Sequence, residues 1–381
     1  MDESTLYGMR MISALGPPRD ALLDNDRRLP PACAGGSPGR LSILAVLAIV
    51  LAGCGQEPAA TGTGANHASG APKPRDQIVI AMLPKLTNIA YFRACEEGAK
   101  KAAAELGVRL VYDGPTDPSA SDQNNFIKAW TRQGVDAICV APNEPKAIKR
   151  VVDEARQHGI KVLTWDSDAP DSGRDLMVNQ VDDKRLGEAL MDEIARQMHE
   201  EGEWAVVIAS LNAENLNTWR RYAEARAAEK YPKLTKVDTV VTEEDVDKSR
   251  KLVETLLNVH PNLKGMIAFD SNSVPGAAEA LKRTGKAGKV ALCGNTTPAP
   301  TKAYLKEGVL QSFFLWDPRQ LGDLTVRLAV ALVEGNSPKA SQSVNGSPPL
   351  TFSPRDPTTV IMSTEPLKFT KENIDRYDWG F

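Results

Sequence analysis

After Gln77 the run Ile78-Val-Ile-Ala-Met-Leu83 is apolar without a break. An unbroken run of this length predicts a strand covered on both faces, as in a parallel sheet. Beyond it Phe92, Cys95, Ala99, Ala102 and Leu106 recur every three or four residues, the spacing of one helix face, and Gly107 ends that helix. The alternation continues through a strand at 108–112, a helix at 123–132 and a strand at 137–141. A helix carrying Ile148, Val151, Val152 and Ala155 then leads to a strand at 160–165. Strands alternating with helices over short connections predict a doubly wound parallel sheet.

The pattern then starts again. A helix at 184–200 precedes a strand at 204–210, with later strands at 237–241, 265–269, 289–293 and 310–315. Helices fall at 249–258, 275–284 and 320–333, the last with Leu321, Leu324, Leu328 and Leu332 on one stripe. The fold class is α/β, with two doubly wound lobes of similar size. The second half does not copy the first residue for residue, so any repeat is structural.

Ahead of the first strand the pattern is of another kind. Arg40 precedes the short apolar run 41–50, and Leu51-Ala-Gly-Cys54 closes it. A charged residue, a short apolar stretch and a small-residue end form a secretory signal, too short for the ~20 residues that span a bilayer. Cysteine directly after Leu-Ala-Gly resembles a bacterial lipobox. That resemblance implies cleavage before Cys54 and lipid on its thiol; the alternative is a plain signal peptide that happens to end in cysteine. Thirty-nine residues precede Arg40, so either the leader at 1–53 has an unusually long charged region or the translation start lies further downstream. The stretch 54–76 is rich in small residues and proline and reads as a disordered tether.

Composition changes this picture little. Of 381 residues, 42% are hydrophobic and 25% charged, ordinary for a globular chain, and the part after the leader is long enough for two cores. A net charge of −3 gives no reason to expect nucleic acid as a partner. Cys95, Cys139 and Cys293 lie in apolar patterns and read as buried thiols, although a Cys95–Cys139 disulfide is open to an oxidising compartment. No phosphate-binding loop and no metal-type spacing of His or Cys occurs, so neither metal nor cofactor is expected. Gly35-Gly-Ser-Pro-Gly39 has the spacing of a nucleophile elbow but lies in the leader, outside any strand–turn–helix context.

In open α/β sheets ligands bind beyond the carboxyl ends of the strands. Those positions hold Lys85, Tyr91 and Phe92 after the first strand, and Asp166 and Asp168 after the fourth. In the second lobe they hold Asn215 and Asn217 with Trp219, then Phe269 with Asp270, Asn295, and Trp316. Carboxylates and amides take paired hydrogen bonds from neighbouring hydroxyls, and rings cover the apolar faces of a sugar. Several positions have a second reading. Asp168 also suits a turn, Phe92 and Trp219 also suit the core, and Lys85 is either exposed or paired with Asp166.

Met82-Leu-Pro-Lys-Leu86, Tyr112-Asp-Gly-Pro-Thr-Asp-Pro118, Val162-Leu-Thr-Trp-Asp-Ser-Asp168, Phe314-Leu-Trp-Asp317 and the ending Lys371–Asp378 together resemble one branch of the periplasmic sugar-binding proteins. That branch holds the autoinducer-2 and rhamnose binders within the ribose-binding-like, type I group. The resemblance implies two lobes joined by a three-strand hinge, closing on a ligand, with no enzymatic activity. It implies lobes at 77–179 plus 317–337 and at 180–316 plus 338–381, with crossings near Val178–Asn179, near Trp316 and after Gly335. Lys85 and Asp166 match ligand contacts of the autoinducer-2 binders. Asn215-Leu216 falls where those proteins have Asp-Gln, and Phe269 and Ser271 fall where they have Pro and Ala. These departures argue against autoinducer-2 and toward a monosaccharide such as rhamnose or another deoxyhexose, whose methyl the Phe269 ring would meet. The implied partners are a sugar, an ABC permease in the inner membrane and, through Cys54, the membrane itself. The protein is then a monomeric, extracytoplasmic lipoprotein. A sensor presenting sugar or autoinducer-2 to a membrane receptor or kinase is the alternative.

Overall fold

The computed structural model describes residues 73–340, 342–344 and 349–379. The leader, Cys54 and most of the tether lie outside them. The tether's last residues are bound to the folded part. Lys73 pairs with Asp136 at 2.7 Å and Arg75 with Glu334 at 2.6 Å.

The first sheet is assembled around β1 (Val79–Leu83), whose residues are almost wholly buried. Around it lie β2 (Arg109–Tyr112), β3 (Ala137–Val140), β4 (Lys161–Trp165) and β5 (Leu176–Asn179). Two strands from far along the chain, β11 (Thr351–Phe352) and β12 (Thr359–Ile361), complete the order β11-β12-β5-β4-β3-β1-β2. All its pairings are parallel except β11 with β12. Helices α1 (Ala90–Leu106), α2 (Ala120–Gln133) and α3 (Lys149–Gln157) make the crossovers. Gly107 ends α1 at φ 69°, a left-handed angle that costs glycine little.

The second lobe begins with α4 (Asp183–Gln197), then β6 (Gly202–Ile208), α5 (Glu214–Lys230), β7 (Leu234–Val241) and α6 (Val246–Val259). It continues with β8 (Leu263–Ala268), α7 (Ser273–Arg283), β9 (Ala291–Gly294), α8 (Pro298–Lys306) and β10 (Ser312–Leu315). Its sheet runs β7-β6-β8-β9, all parallel. β10 instead pairs antiparallel with β13 (Leu367–Thr370), and one bridge from Asn295 to Phe314 joins it to β9. After β10 the chain returns to the first lobe through α9 (Pro318–Val333), which packs along α1 and beneath β3, β4 and β5.

One expectation needs correction. The tail from 338 does not belong wholly to the second lobe, because β12 extends the first sheet alongside β5, with Val360 opposite Val178. The third crossing therefore falls after Ile361 rather than after Gly335. β12 is only three residues long, too short for a pattern to announce. Cys95, Cys139 and Cys293 are free and buried, and burial pushes their thiols up. Among the described residues no helix is long and apolar enough to cross a membrane.

Candidate functional site

The carboxyl ends of β1, β4, β6, β7, β8, β9 and β10 meet where the lobes face each other. There they enclose a cavity of about 30 Å³, room for little more than a water. Lys85, Tyr91, Phe92, Asp166, Asn215, Asp270, Asn295 and Trp316 line it, so eight of the eleven ligand-binding positions nominated from sequence come together.

The first lobe sets Lys85 through Gln123 on α2. That buried side chain donates to the carbonyls of Pro84 at 3.1 Å and Ala141 at 2.8 Å, binding the ends of β1 and β3 to each other. The Asn143 N–H donates to Gln123 Oε1 at 2.9 Å, and the Asn143 side-chain amide donates on to the Lys85 carbonyl at 3.3 Å. Asp166 follows β4 at φ 63°, an angle uncommon outside glycine and a mark of functional sites. Its Oδ2 lies 3.0 Å from Lys85 Nζ and its Oδ1 accepts from Tyr91 at 2.9 Å. Burial, with Asp166 alongside, pushes the Tyr91 hydroxyl well above its usual range, so it stays a donor.

The second lobe answers with an amide. Asn215 in the first turn of α5 accepts from Lys85 at 2.9 Å and donates to Asp166 Oδ2 at 3.3 Å. A carboxylate there would face Asp166 at that distance, so Asn completes the ion pair where Asp would oppose it. Aromatic rings wall the rest. Trp316 lies edge-on to Tyr91 at 5.9 Å, and Trp219 packs on Trp316 at 5.6 Å while its N–H donates to Asp183 at 2.7 Å. Burial pushes the Asp183 carboxyl up to about 6 despite that bond. Asp270 receives the N–H groups of Asn272 at 3.2 Å and Ser273 at 2.8 Å, and burial pushes it up to about 6. Asn295 is 4% exposed, and its Oδ1 has no partner.

Three nominated residues lie elsewhere. Phe269 is completely buried in the core, so its ring is not available to a ligand. Asn217, in the first turn of α5, is spent on the loop ahead of that helix, donating to the carbonyls of Ser210 at 3.2 Å and Ala213 at 2.8 Å. Asp168 is held by Arg174 at 2.7 Å, which also grips Asp356 at 2.7 Å and so fastens the β12 loop to β4. Asp168 faces a wider outer cavity of about 880 Å³ that shares Asp166 and Asn215 with the inner one. Glu244 lines the inner cavity, and sequence reading missed it. It lies three residues past β7, where inspection of strand ends would have found it.

Residues 80–337 match the family model described as a periplasmic binding protein domain. The D-ribose/D-allose-binding protein of Pseudomonas aeruginosa is 27% identical over 281 residues, spanning 72% of this chain and 86% of its own length. An ABC transporter solute-binding protein from Clostridium phytofermentas, with bound L-rhamnose, superposes with a TM-score of 0.74 at 29% identity, over 79% of this chain and 98% of that one. LsrB from Clostridium saccharobutylicum, in complex with AI-2, gives a TM-score of 0.74 at 25% identity over 79% and 100%. Two parallel-sheet lobes, a polar cavity between their strand ends and a match over most of the folded chain agree: the chain belongs to the periplasmic binding proteins.

Proposed function

We propose that this protein captures a monosaccharide between its lobes and delivers it to an ABC permease, with L-rhamnose the first sugar to test. The observation that carries this reading is the Lys85–Asp166–Asn215 group, which bonds the lobes together inside an aromatic wall. A paired carboxylate and lysine suit vicinal hydroxyls, and Tyr91, Trp219 and Trp316 suit a sugar's apolar face. Family membership implies an extracytoplasmic location. The sequence Leu51-Ala-Gly-Cys54 supports a lipid on Cys54.

The inner cavity is far below the ~300 Å³ or more of ordinary ligand pockets, so a sugar enters only when the lobes part. The hinge is the set of crossings after β5, β10 and β12. The case for a deoxyhexose now rests on Ile89, Leu216 and Leu315, which line the cavity, rather than on Phe269. Leu216 also supplies no hydrogen bond, which disfavours autoinducer-2. A thermal-shift panel of pentoses, hexoses, L-rhamnose and autoinducer-2 tests the reading. A ligand at ~100 times its Kd stabilises by roughly 2.7 kcal/mol, a rise of several degrees. A folded protein that responds to no sugar ends it. Radiolabelled palmitate incorporation lost in Cys54→Ser tests the anchor, and unchanged labelling removes it.

A further inference from the structure

Glu244 stands in the loop after β7, and its backbone is unusual. It and Glu243 hold φ of 59° and 58°, two consecutive left-handed angles without a glycine. Such angles cost on the order of 1–3 kcal/mol each and persist only where the surroundings impose them. Here Asn272 Nδ2 donates to the Glu244 carbonyl at 2.6 Å and Lys248 pairs with the Glu243 carboxylate at 2.7 Å. The clamped loop presents the Glu244 side chain to the inner cavity.

Among the described residues no donor reaches the Glu244 carboxyl. The groups that act on it are Asp270 after β8, Asp166 after β4 and Lys85 after β1. Asp270 is occupied by Ser273 and Asn272, and Lys85 is shared between Asp166 and Asn215. Asn295 Oδ1, buried and unpartnered, lines the same cavity. This side of the cleft thus holds two acceptors, Glu244 and Asn295, for which the protein supplies no donor.

We infer that Glu244 is a specificity-determining residue that meets a ligand hydroxyl as a neutral carboxylic acid, so that capture of an uncharged sugar carries a proton into the closed cleft. This rests on the sugar-receptor reading above. An ionised carboxylate facing Asp166 and Asp270 across a narrow cleft, with the one lining lysine already engaged, is costly. A carboxylic acid both donates and accepts, as a hydroxyl does. Desolvation in the cleft raises the Glu244 carboxyl above the usual carboxylate range, with Asp270 and Asp166 adding to the rise and Lys85 opposing it. In an open, wet cleft a glutamate titrates near ~4.3. The group is therefore raised by closure. Its contribution to closure is complete at low pH and is lost as pH rises through the raised value of the closed state.

The test is calorimetric titration of L-rhamnose, and of each panel sugar that binds, at pH 6, 7 and 8 into the wild type and Glu244→Gln. Wild-type Kd should weaken about tenfold or more from pH 6 to 8, and the variant's by about threefold at most, the remainder from Asp270. At pH 7, buffers of different ionisation enthalpy should reveal uptake of roughly one proton per sugar by the wild type and less than half of that by Glu244→Gln. Equal ligand-free melting temperatures are expected, because the protein holds only the backbone carbonyl of Glu244. A flat wild-type profile, or the same profile in both proteins, overturns the role of Glu244 and leaves the receptor reading standing. Absence of binding by every sugar at every pH overturns the receptor reading itself.

Discussion

At Asp166, three partners converge on one carboxylate: Lys85, Tyr91 and Asn215. Asp166→Asn isolates the charge, since asparagine tolerates a left-handed backbone nearly as well. It should weaken sugar binding by about 2 kcal/mol or more, roughly thirtyfold, through loss of charge-assisted bonds, with little change in melting temperature. Calorimetry with the sugar found in the panel checks this; unaltered affinity would move the binding site away from Asp166. Lys85 and Asp166 were legible from sequence because each follows an apolar strand directly. Phe269 was misjudged for a related reason. Being one residue past a strand locates a side chain along the sheet but not which face it takes, and here that face is the core.

Between elements, the closest approach is that of α1 to α9. A Cβ on Gly98 would lie 1.8 Å from the carbonyl oxygen of Arg319, and one on Gly322 would lie 1.9 Å from that of Cys95. Both obstacles are backbone, which cannot turn aside. Gly322→Ala should cost about 3 kcal/mol or more, seen as a melting temperature several degrees lower; a drop within a degree would mean the helices separate freely. The stripe of leucines announced α9, whereas its partner was a matter of topology. In the second lobe, Glu193 on α4 receives Arg196, Lys368, Ser312 and Gln197, so α4, β10 and β13 meet at one buried carboxylate. Burial opposes its charge, but those bonds prevail and hold it down to about 2. A depressed carboxylate contributes stability above its unfolded value near ~4.3, and that stability is lost as pH falls toward about 2. Glu193→Gln should therefore destabilise the protein at pH 7 by on the order of 3 kcal/mol and much less at pH 3. Urea unfolding at both values decides it, and an equal loss at both contradicts the assignment.

Over the whole molecule, the closure proposed above gives weight to a second contact, which spans the lobes outside the inner cavity. Arg355, between β11 and β12, donates to the Tyr222 hydroxyl on α5 and lies over its ring at 5.7 Å. Because it joins one lobe to the other, this contact is expected to bias closure rather than folding. Arg355→Ala should weaken sugar binding two- to fivefold, as an exposed pair of this kind contributes ~1 kcal/mol or less, and leave the ligand-free melting temperature unchanged. Lower ligand-free stability with unaltered affinity would assign the pair to folding instead. What the sequence determined by itself was local and periodic: the α/β alternation, the two lobes, and the strand ends where Lys85, Asp166, Asn215 and Trp316 stand. Periodicity records which face of an element is apolar, and burial of that face is common to every parallel sheet. The tertiary structure alone decided that β12 returns to the first sheet and that Phe269 turns inward. It also decided that Asp168 is held by Arg174 and that Glu244 faces the cleft. Except for Asp168, only six residues from Arg174, each of these depends on packing across long stretches of chain, where register and side-chain direction follow from the partner and leave no local pattern.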